Sequence, residues 1–290
     1  MRNANARAAA VLLLAGSLSA CAVASESPSP ETSSGPPAAT RTYLPGLDAD
    51  VRLPEVVPSA AVPVVVLVPG GGWQTADRSG LSDLAAQLAA NGFVTVNATY
   101  RSGADNATFP TPVDDVRCAV AFAVARAEEA GVNVGPVILL GHSSAGHLAA
   151  LAAMATPPVA GECPYDPPVV DGMVGLAGVY DIEQFEFALL DFFGAPRSEA
   201  PQVWATGDPI GLVEAGQAPD DLSVLLLHGD ADDLVPVTQS EDFAAALRTA
   251  GNEVELEVIH AGTHDTIYSA ESAAAEVTRW IRGLRSPRQE

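Results

Sequence analysis

Lysine is missing from all 290 residues: the 14 basic side chains are all arginine. Without a lysine amine there is no Schiff-base chemistry and no P-loop lysine to hold a nucleotide phosphate. Cysteine is scarce, with three in the chain, at 21, 118 and 163. No HExxH and no paired CxxC occurs, so the five histidines are not arranged as a zinc site. Positive charge is outnumbered, because 36 acidic residues leave a net charge of −22. Nucleic-acid phosphates would be repelled, which argues against DNA or RNA as a partner. No internal repeat is visible. No organic cofactor is expected.

The first residues have the form of an export signal. Arg2 and Arg7 precede the apolar core AAAVLLLAG, which is too short for a typical spanning helix. The segment ends in Leu18-Ser19-Ala20-Cys21 and resembles the lipobox of bacterial lipoproteins. That resemblance implies a lipid on Cys21, a signal at residues 1–21 and a membrane-anchored protein facing outward. The alternative is an ordinary signal cut near Ala22 or Ala24, giving a secreted protein. Residues 22–41 are rich in Ser, Pro, Thr, Ala and Gly and read as a disordered tether. Residues 42–290 remain for one domain. Cys118 and Cys163 would then meet an oxidising compartment and are expected to pair. The bridge would contribute about 3–4 kcal/mol by the chain-entropy argument. Two buried free thiols are the alternative.

Strand-like and helix-like segments alternate along this domain. Residues 62–68 are an unbroken apolar run, as in a strand buried on both faces. Further strands are expected at 93–100, 134–141, 169–178, 221–229 and 252–260. Helices are expected at 79–92, 111–131, 144–155, 240–251 and 269–284. Such alternation predicts an α/β fold with a mostly parallel central sheet and helices on both faces. Ligands of such sheets sit beyond the carboxyl ends of the strands.

Four of those ends carry chemistry. PVILLGHSSAGHLAAL places two serines on a strand-to-helix turn. A nucleophile elbow needs small residues two before and two after its serine, because those positions crowd the turn. Ser143 has Gly141 and Ala145 there, whereas Ser144 has His142 and Gly146. Absorbing a methyl costs far less than absorbing an imidazole, so Ser143 is the candidate nucleophile. Ser144 opens the following helix with its N–H free to face an oxyanion. A helix-capping serine is the blander reading, but it leaves the glycine unexplained. LVPGGGWQ ends another strand with three glycines whose N–H groups can approach a negative oxygen. LLLHGDADDLVP offers Asp230, Asp232 and Asp233 as an acid. VIHAGTHD offers His260 and His264, and the loop position of His264 gives it easier reach. His142 and His147 are expected to pack or hydrogen-bond near the cleft mouth, and His228 to orient the acidic loop. The order Ser, Asp, His is that of α/β-hydrolases.

The chain resembles the α/β-hydrolases, in particular bacterial esterases with HGGGW and GHSAGGHLA motifs, near acetyl-esterase, feruloyl-esterase and kynurenine-formamidase-like members. The matching segments are PGGGW, Tyr100-Arg101, FPTPVDDVRCAV, GHSSAGHLAAL, GLAGVYD, HGDADDLVP and HAGTHD, in family order. The resemblance implies Asp232 as the acid, the fifth residue of HGxxDxxVP, and His264 as the base. It implies Gly71 and Gly72, with Ser144, as the oxyanion donors. Two positions depart from the pattern. Pro69 replaces the histidine before the glycines, and Ala145 replaces a glycine.

The expected function is hydrolysis of small or exposed carboxylic esters. Amide cleavage of the formamidase or peptidase type is one alternative. A non-catalytic binding lipoprotein on the same scaffold is another. Residues 179–221 carry Phe185, Phe187, Phe192, Phe193 and Trp204 and are expected either to cover the site and line a substrate pocket or to pack onto the core. Little chain precedes the first long strand, so no large N-terminal lid is expected.

Overall fold

The computed structural model describes residues 35–154 and 163–284. Cys21, the export signal and most of the tether lie outside the described residues. Within them, one sheet holds eight strands: β1 (Ala39–Leu44), β2 (Leu47–Arg52), β3 (Val62–Val68), β4 (Val94–Ala98), β5 (Val134–His142), β6 (Gly172–Leu176), β7 (Ser223–Gly229) and β8 (Val254–Ile259). Their spatial order is β1-β2-β4-β3-β5-β6-β7-β8. From β4 to β8 every pairing is parallel, while β1–β2 and β2–β4 are antiparallel.

Among the described residues, eight α-helices connect or flank the strands: α1 (Ser82–Ala90), α2 (Thr111–Glu129), α3 (Ser144–Met154), α4 (Glu186–Phe193), α5 (Pro201–Thr206), α6 (Pro209–Glu214), α7 (Thr238–Ala250) and α8 (Ala270–Gly283). The apolar run of β3 is explained by what covers it. Val64, Val66 and Val68 face the core built by α2, α3 and α7. Val65 and Leu67 face the core built by α1 and α8. Alternate residues therefore point to opposite faces and both faces are dry, so no polar residue interrupts the strand. Each such side chain contributes about 1.5–3 kcal/mol on burial. The amphipathic α8 seals its face with Ala274, Val277, Trp280 and Ile281. No helix among the described residues is long and apolar enough to cross a membrane.

The sheet begins earlier than the composition suggests. Residues 39–41, read from sequence as the end of the tether, are the first part of β1. They pair with β2, where Ala39 faces Val51 and Arg41 faces Ala49. Thr40 and Thr42 also donate side-chain hydrogen bonds to Asp50 and Asp48, both at 2.6 Å. A Thr/Ala-rich stretch looks the same in a linker and in an edge strand, and only the partner decides between them. Cys118 of α2 and Cys163, in the segment before β6, are joined by a disulfide.

Candidate active site

β5 ends at His142 and α3 begins at Ser144, so Ser143 alone makes the turn. Its φ is 55°, in the left-handed region that non-glycine residues adopt at a cost of about 1–3 kcal/mol. Two hydrogen bonds hold it there. Its N–H donates to the Leu176 carbonyl at the end of β6 at 2.9 Å, and its own carbonyl accepts from Gly146 N–H at 2.8 Å. The crowding that an elbow imposes falls on Gly141, where an added Cβ would stand 2.1 Å from the Ala145 carbonyl oxygen. The methyl of Ala145 points the other way, into the core, and is fully buried. The departure at 145 therefore leaves the turn unchanged.

Three side chains converge on one line. His264 Nε2 lies 2.9 Å from Ser143 Oγ, and His264 Nδ1 lies 2.7 Å from Asp232 Oδ2. An ionised carboxylate only accepts, so Nδ1 carries the proton and the lone pair of Nε2 faces the serine hydroxyl. Asp232 is itself fixed, its Oδ1 accepting from Leu234 N–H at 3.0 Å and Val235 N–H at 2.8 Å. Burial raises its pKa, but the Val235 bond and the His264 partner outweigh burial and hold the carboxyl below its ordinary value. His228 stands behind this loop. Its Nε2–H donates to the Val235 carbonyl at 2.9 Å and its Nδ1 accepts from Ser240 Oγ at 2.7 Å. Asp230 instead pairs with His260 at 2.8 Å on the surface, where His260 is 95% exposed. Asp233 takes no part in this line.

The glycine loop leaves β3 directly beside the serine. A Cβ on Gly70 would sit 2.8 Å from that of Ser143, and one on Gly71 would meet the Thr75 carbonyl at 2.3 Å. Gly71 and Gly72 take φ values of 149° and 59°. Among the described residues, neither of their N–H groups has a backbone acceptor. The N–H of Ser144, at the first turn of α3, has no intrahelical partner. Pro69 cannot brace the loop with a side chain, but its carbonyl accepts from the buried Tyr100 hydroxyl at 3.0 Å. Burial pushes the Tyr100 pKa up, so this donor keeps its proton. Tyr100 in turn follows β4, whose exit is locked by a bidentate Arg101–Asp115 pair at 2.8 and 2.6 Å.

Pro69 to Gly72, His142, Ser143 and His264 line an open cleft of about 460 Å³, completed by Asp77, Ser79, Gly80, Leu81, Leu234, Asp265 and Tyr268. The residues that complete the cleft were not singled out in the sequence. Their signal is adjacency, since Leu234 follows Asp232 by two and Asp265 follows His264 directly. His142 packs its ring on those of His264 and Tyr268, at 4.9 and 4.2 Å between centroids. Burial, then the nearby His264, lowers its pKa to about 3, so it is neutral. The aromatics of 179–221 do not line the cleft, which corrects the first of the two expectations for that segment. Phe192, Phe193 and Trp204 are buried in the main core, and Phe187 is 90% exposed.

The family model BD-FAE matches residues 49–247. The chain belongs to the BD-FAE family. Esterase LipQ of Mycobacterium tuberculosis is 30% identical over 212 residues, covering 69% of this chain and 49% of LipQ. Kynurenine formamidase of Danio rerio is 26% identical over 226 residues, covering 77% of this chain and 72% of that one. The solved structure of the thermophilic esterase Est2 from Thermogutta terrifontis superposes with a TM-score of 0.67 at 22% identity, over 88% of this chain and 96% of Est2. This BD-FAE chain thus has the α/β-hydrolase fold. It spans about half the length of the mycobacterial relatives it matches.

Proposed function

We propose that this chain is a serine hydrolase of carboxylic esters, with Ser143 as nucleophile, His264 as base and Asp232 as the acid that orients it. The observation that carries the reading is the Ser143–His264–Asp232 line, 2.9 and 2.7 Å long, opening on a cleft. Ser143 Oγ attacks the ester carbonyl carbon while its proton passes to His264 Nε2. The carbonyl electron pair moves onto oxygen, and the N–H groups of Gly71, Gly72 and Ser144 stabilise that charge. Collapse of the tetrahedral species breaks the bond to the alcohol, which leaves with the proton from His264. Water, deprotonated by His264, then cleaves the acyl-enzyme in the same two stages. Asp232 keeps Nδ1 protonated and stabilises the imidazolium that forms in each stage.

The open cleft of about 460 Å³ favours small acyl groups or esters exposed on a larger molecule. The test is turnover of p-nitrophenyl esters of increasing acyl length. Ser143→Ala is expected to lower kcat by about 10⁴-fold or more. Unchanged turnover would overturn the assignment. The similarity to a kynurenine formamidase supports a second reading, cleavage of an arylformamide by the same residues. Comparing kcat/KM for matched ester and arylformamide substrates separates the two.

We further propose that the protein is exported and tethered by a lipid on Cys21. The lipobox-like Leu18-Ser19-Ala20-Cys21 supports this reading, as does the Cys118–Cys163 disulfide, a bond of oxidising compartments. Palmitate labelling of the wild type and its loss in Cys21→Ser is the expected outcome. Equal labelling of the two would exclude the anchor.

A further inference from the structure

One histidine of α3 faces neither solvent nor the cleft. His147 is completely buried, yet both ring nitrogens are used. Nε2 bonds the Gly207 carbonyl at 2.8 Å, and Nδ1 meets the Trp73 indole N–H at 3.2 Å. A carbonyl only accepts and an indole only donates, so Nε2 bears the proton and Nδ1 supplies the lone pair. Burial lowers the pKa of the ring to about 4 and keeps it neutral. Phe192 of α4 meets it edge-on at 5.5 Å between centroids, and the Trp73 ring does so at 5.7 Å. Gly207, between α5 and α6, carries no side chain because an added Cβ would stand 2.3 Å from the Phe193 ring. Three parts of the molecule meet at this ring: the glycine loop, the helix behind Ser143, and the helices inserted between β6 and β7.

Trp73 has reason to need holding. Its φ of 61° follows the 59° of Gly72, and left-handed backbone is unfavourable for a residue with a side chain. Two bonds fix it, the indole bond to His147 and Gly103 N–H donated to its carbonyl at 2.9 Å. If the indole were released, the strain would relax through the residues before it, Gly71 and Gly72.

We propose that Trp73 and His147 are positioning residues, a strut by which the inserted helices hold the glycine loop where its N–H groups meet the oxyanion. This inference rests on the oxyanion role proposed for Gly71 and Gly72. Neither strut residue touches the reacting atoms. The strut acts when negative charge moves onto the carbonyl oxygen, which requires donors about 2.7–3.1 Å away. A shift of about 1 Å in such donors can cost on the order of 10²-fold in rate. The inserted helices, which do not line the cleft, thereby gain a role as a buttress behind it.

The test compares Trp73→Phe, His147→Leu and His147→Asn with wild type on a short ester. Trp73→Phe keeps an aromatic ring and removes the donor. Asn at 147 can place an acceptor close to where Nδ1 stands, whereas Leu cannot. Trp73→Phe and His147→Leu are expected to lower kcat about tenfold or more with KM within about twofold. Affinity for phenylboronic acid, which forms a tetrahedral adduct on the serine, should fall by the same factor as kcat/KM. The acid limb of the pH–rate profile should stay in place, and His147→Asn should recover most of the loss. Wild-type kcat and boronate affinity in folded Trp73→Phe would overturn the strut. In wild type labelled with ¹⁵N-tryptophan, the Trp73 indole proton should resist solvent exchange; free exchange would overturn the strut even if the variants fail to fold. A wild type without hydrolytic activity would instead count against the catalytic reading, leaving the exchange measurement to judge the strut.

Discussion

At the scale of single residues, steric crowding and burial decide more than resemblance does. GHSSAGH pointed to Ser143 because a turn that tight tolerates a methyl better than an imidazole, and the structure puts the unavoidable hydrogen at Gly141. Gly141→Ala is therefore expected to be severe. A Cβ there would lie 2.1 Å from a backbone oxygen of α3, and backbone cannot step aside cheaply. Soluble yield and kcat should both collapse, whereas Ala145→Gly should cost about 1 kcal/mol in stability and leave kcat within about threefold. A tolerated Gly141→Ala would mean that the elbow has another geometry. At Pro69, where the family pattern has a histidine, the loop is held through its backbone carbonyl by Tyr100, 31 residues away, and no local pattern announces that bond.

Three buried histidines, His142, His147 and His228, also carry a pH signature at this scale, burial lowering the pKa of each. His142 and His147 titrate near 3 and 4 in the folded protein. Their unfolded pKa is about 6.5. Between these limits the unfolded chain binds more protons than the native one, so stability rises with pH there and falls on acidification. Going from pH 7 to pH 5 should cost about 2 kcal/mol for each of these two. Asp232, whose pKa is depressed, contributes stability that is lost in more acid solution, below the ordinary aspartate range. Urea unfolding followed from pH 7 to pH 5 should show the decline, and His147→Asn should reduce it by that ring's share of about 2 kcal/mol. A stability independent of pH in that window would exclude neutral burial of these rings.

At the scale of elements, legibility tracked burial. The strands enclosed on both faces, β3, β5 and β7, stand out as unbroken apolar runs, and their ends bring the glycine loop, Ser143 and Asp232 together. The hairpin of β1 and β2 does not stand out, because an edge pair exposes one side and its Thr–Asp bonds exist only after pairing. The inserted helices were ambiguous for a related reason. Phe192, Phe193 and Trp204 fit a pocket wall and a core equally well as letters, and only the path of the chain sends them to the core. The disulfide tests an element-scale effect, since it ties α2 to the segment after α3 across 45 residues. Its removal in a Cys118→Ser/Cys163→Ser double variant should lower stability by about 3–4 kcal/mol. Neither cysteine lines the cleft, so kcat measured well below the unfolding temperature should stay within about twofold. Thermal unfolding with and without the bridge checks the first claim and ester turnover the second.

At the scale of the whole molecule, the charge balance converges with the local chemistry of the cleft. The chain carries −22, and the residues lining the cleft include Asp77 and Asp265 but no arginine. A backbone bond from Ser79 N–H holds the Asp77 carboxyl below its ordinary pKa, so it is ionised at neutral pH. Two carboxylates lining a concave site focus the field of the molecule onto whatever ligand enters it. Each charge pair there is worth about 1 kcal/mol at about 4 Å in water, and more where solvent is excluded. A cationic ester should accordingly be preferred to its neutral isostere at low ionic strength. Acetylcholine and 3,3-dimethylbutyl acetate form such a pair, alike in shape and different in charge. Raising salt from about 10 mM to about 1 M shortens the screening length from about 30 Å to about 3 Å. The ratio of their kcat/KM values should then fall about fivefold or more, and Asp77→Asn or Asp265→Asn should lower it already at low salt. A ratio indifferent to salt would show that the acidic surface serves solubility alone and that the cleft does not sort its substrates by charge.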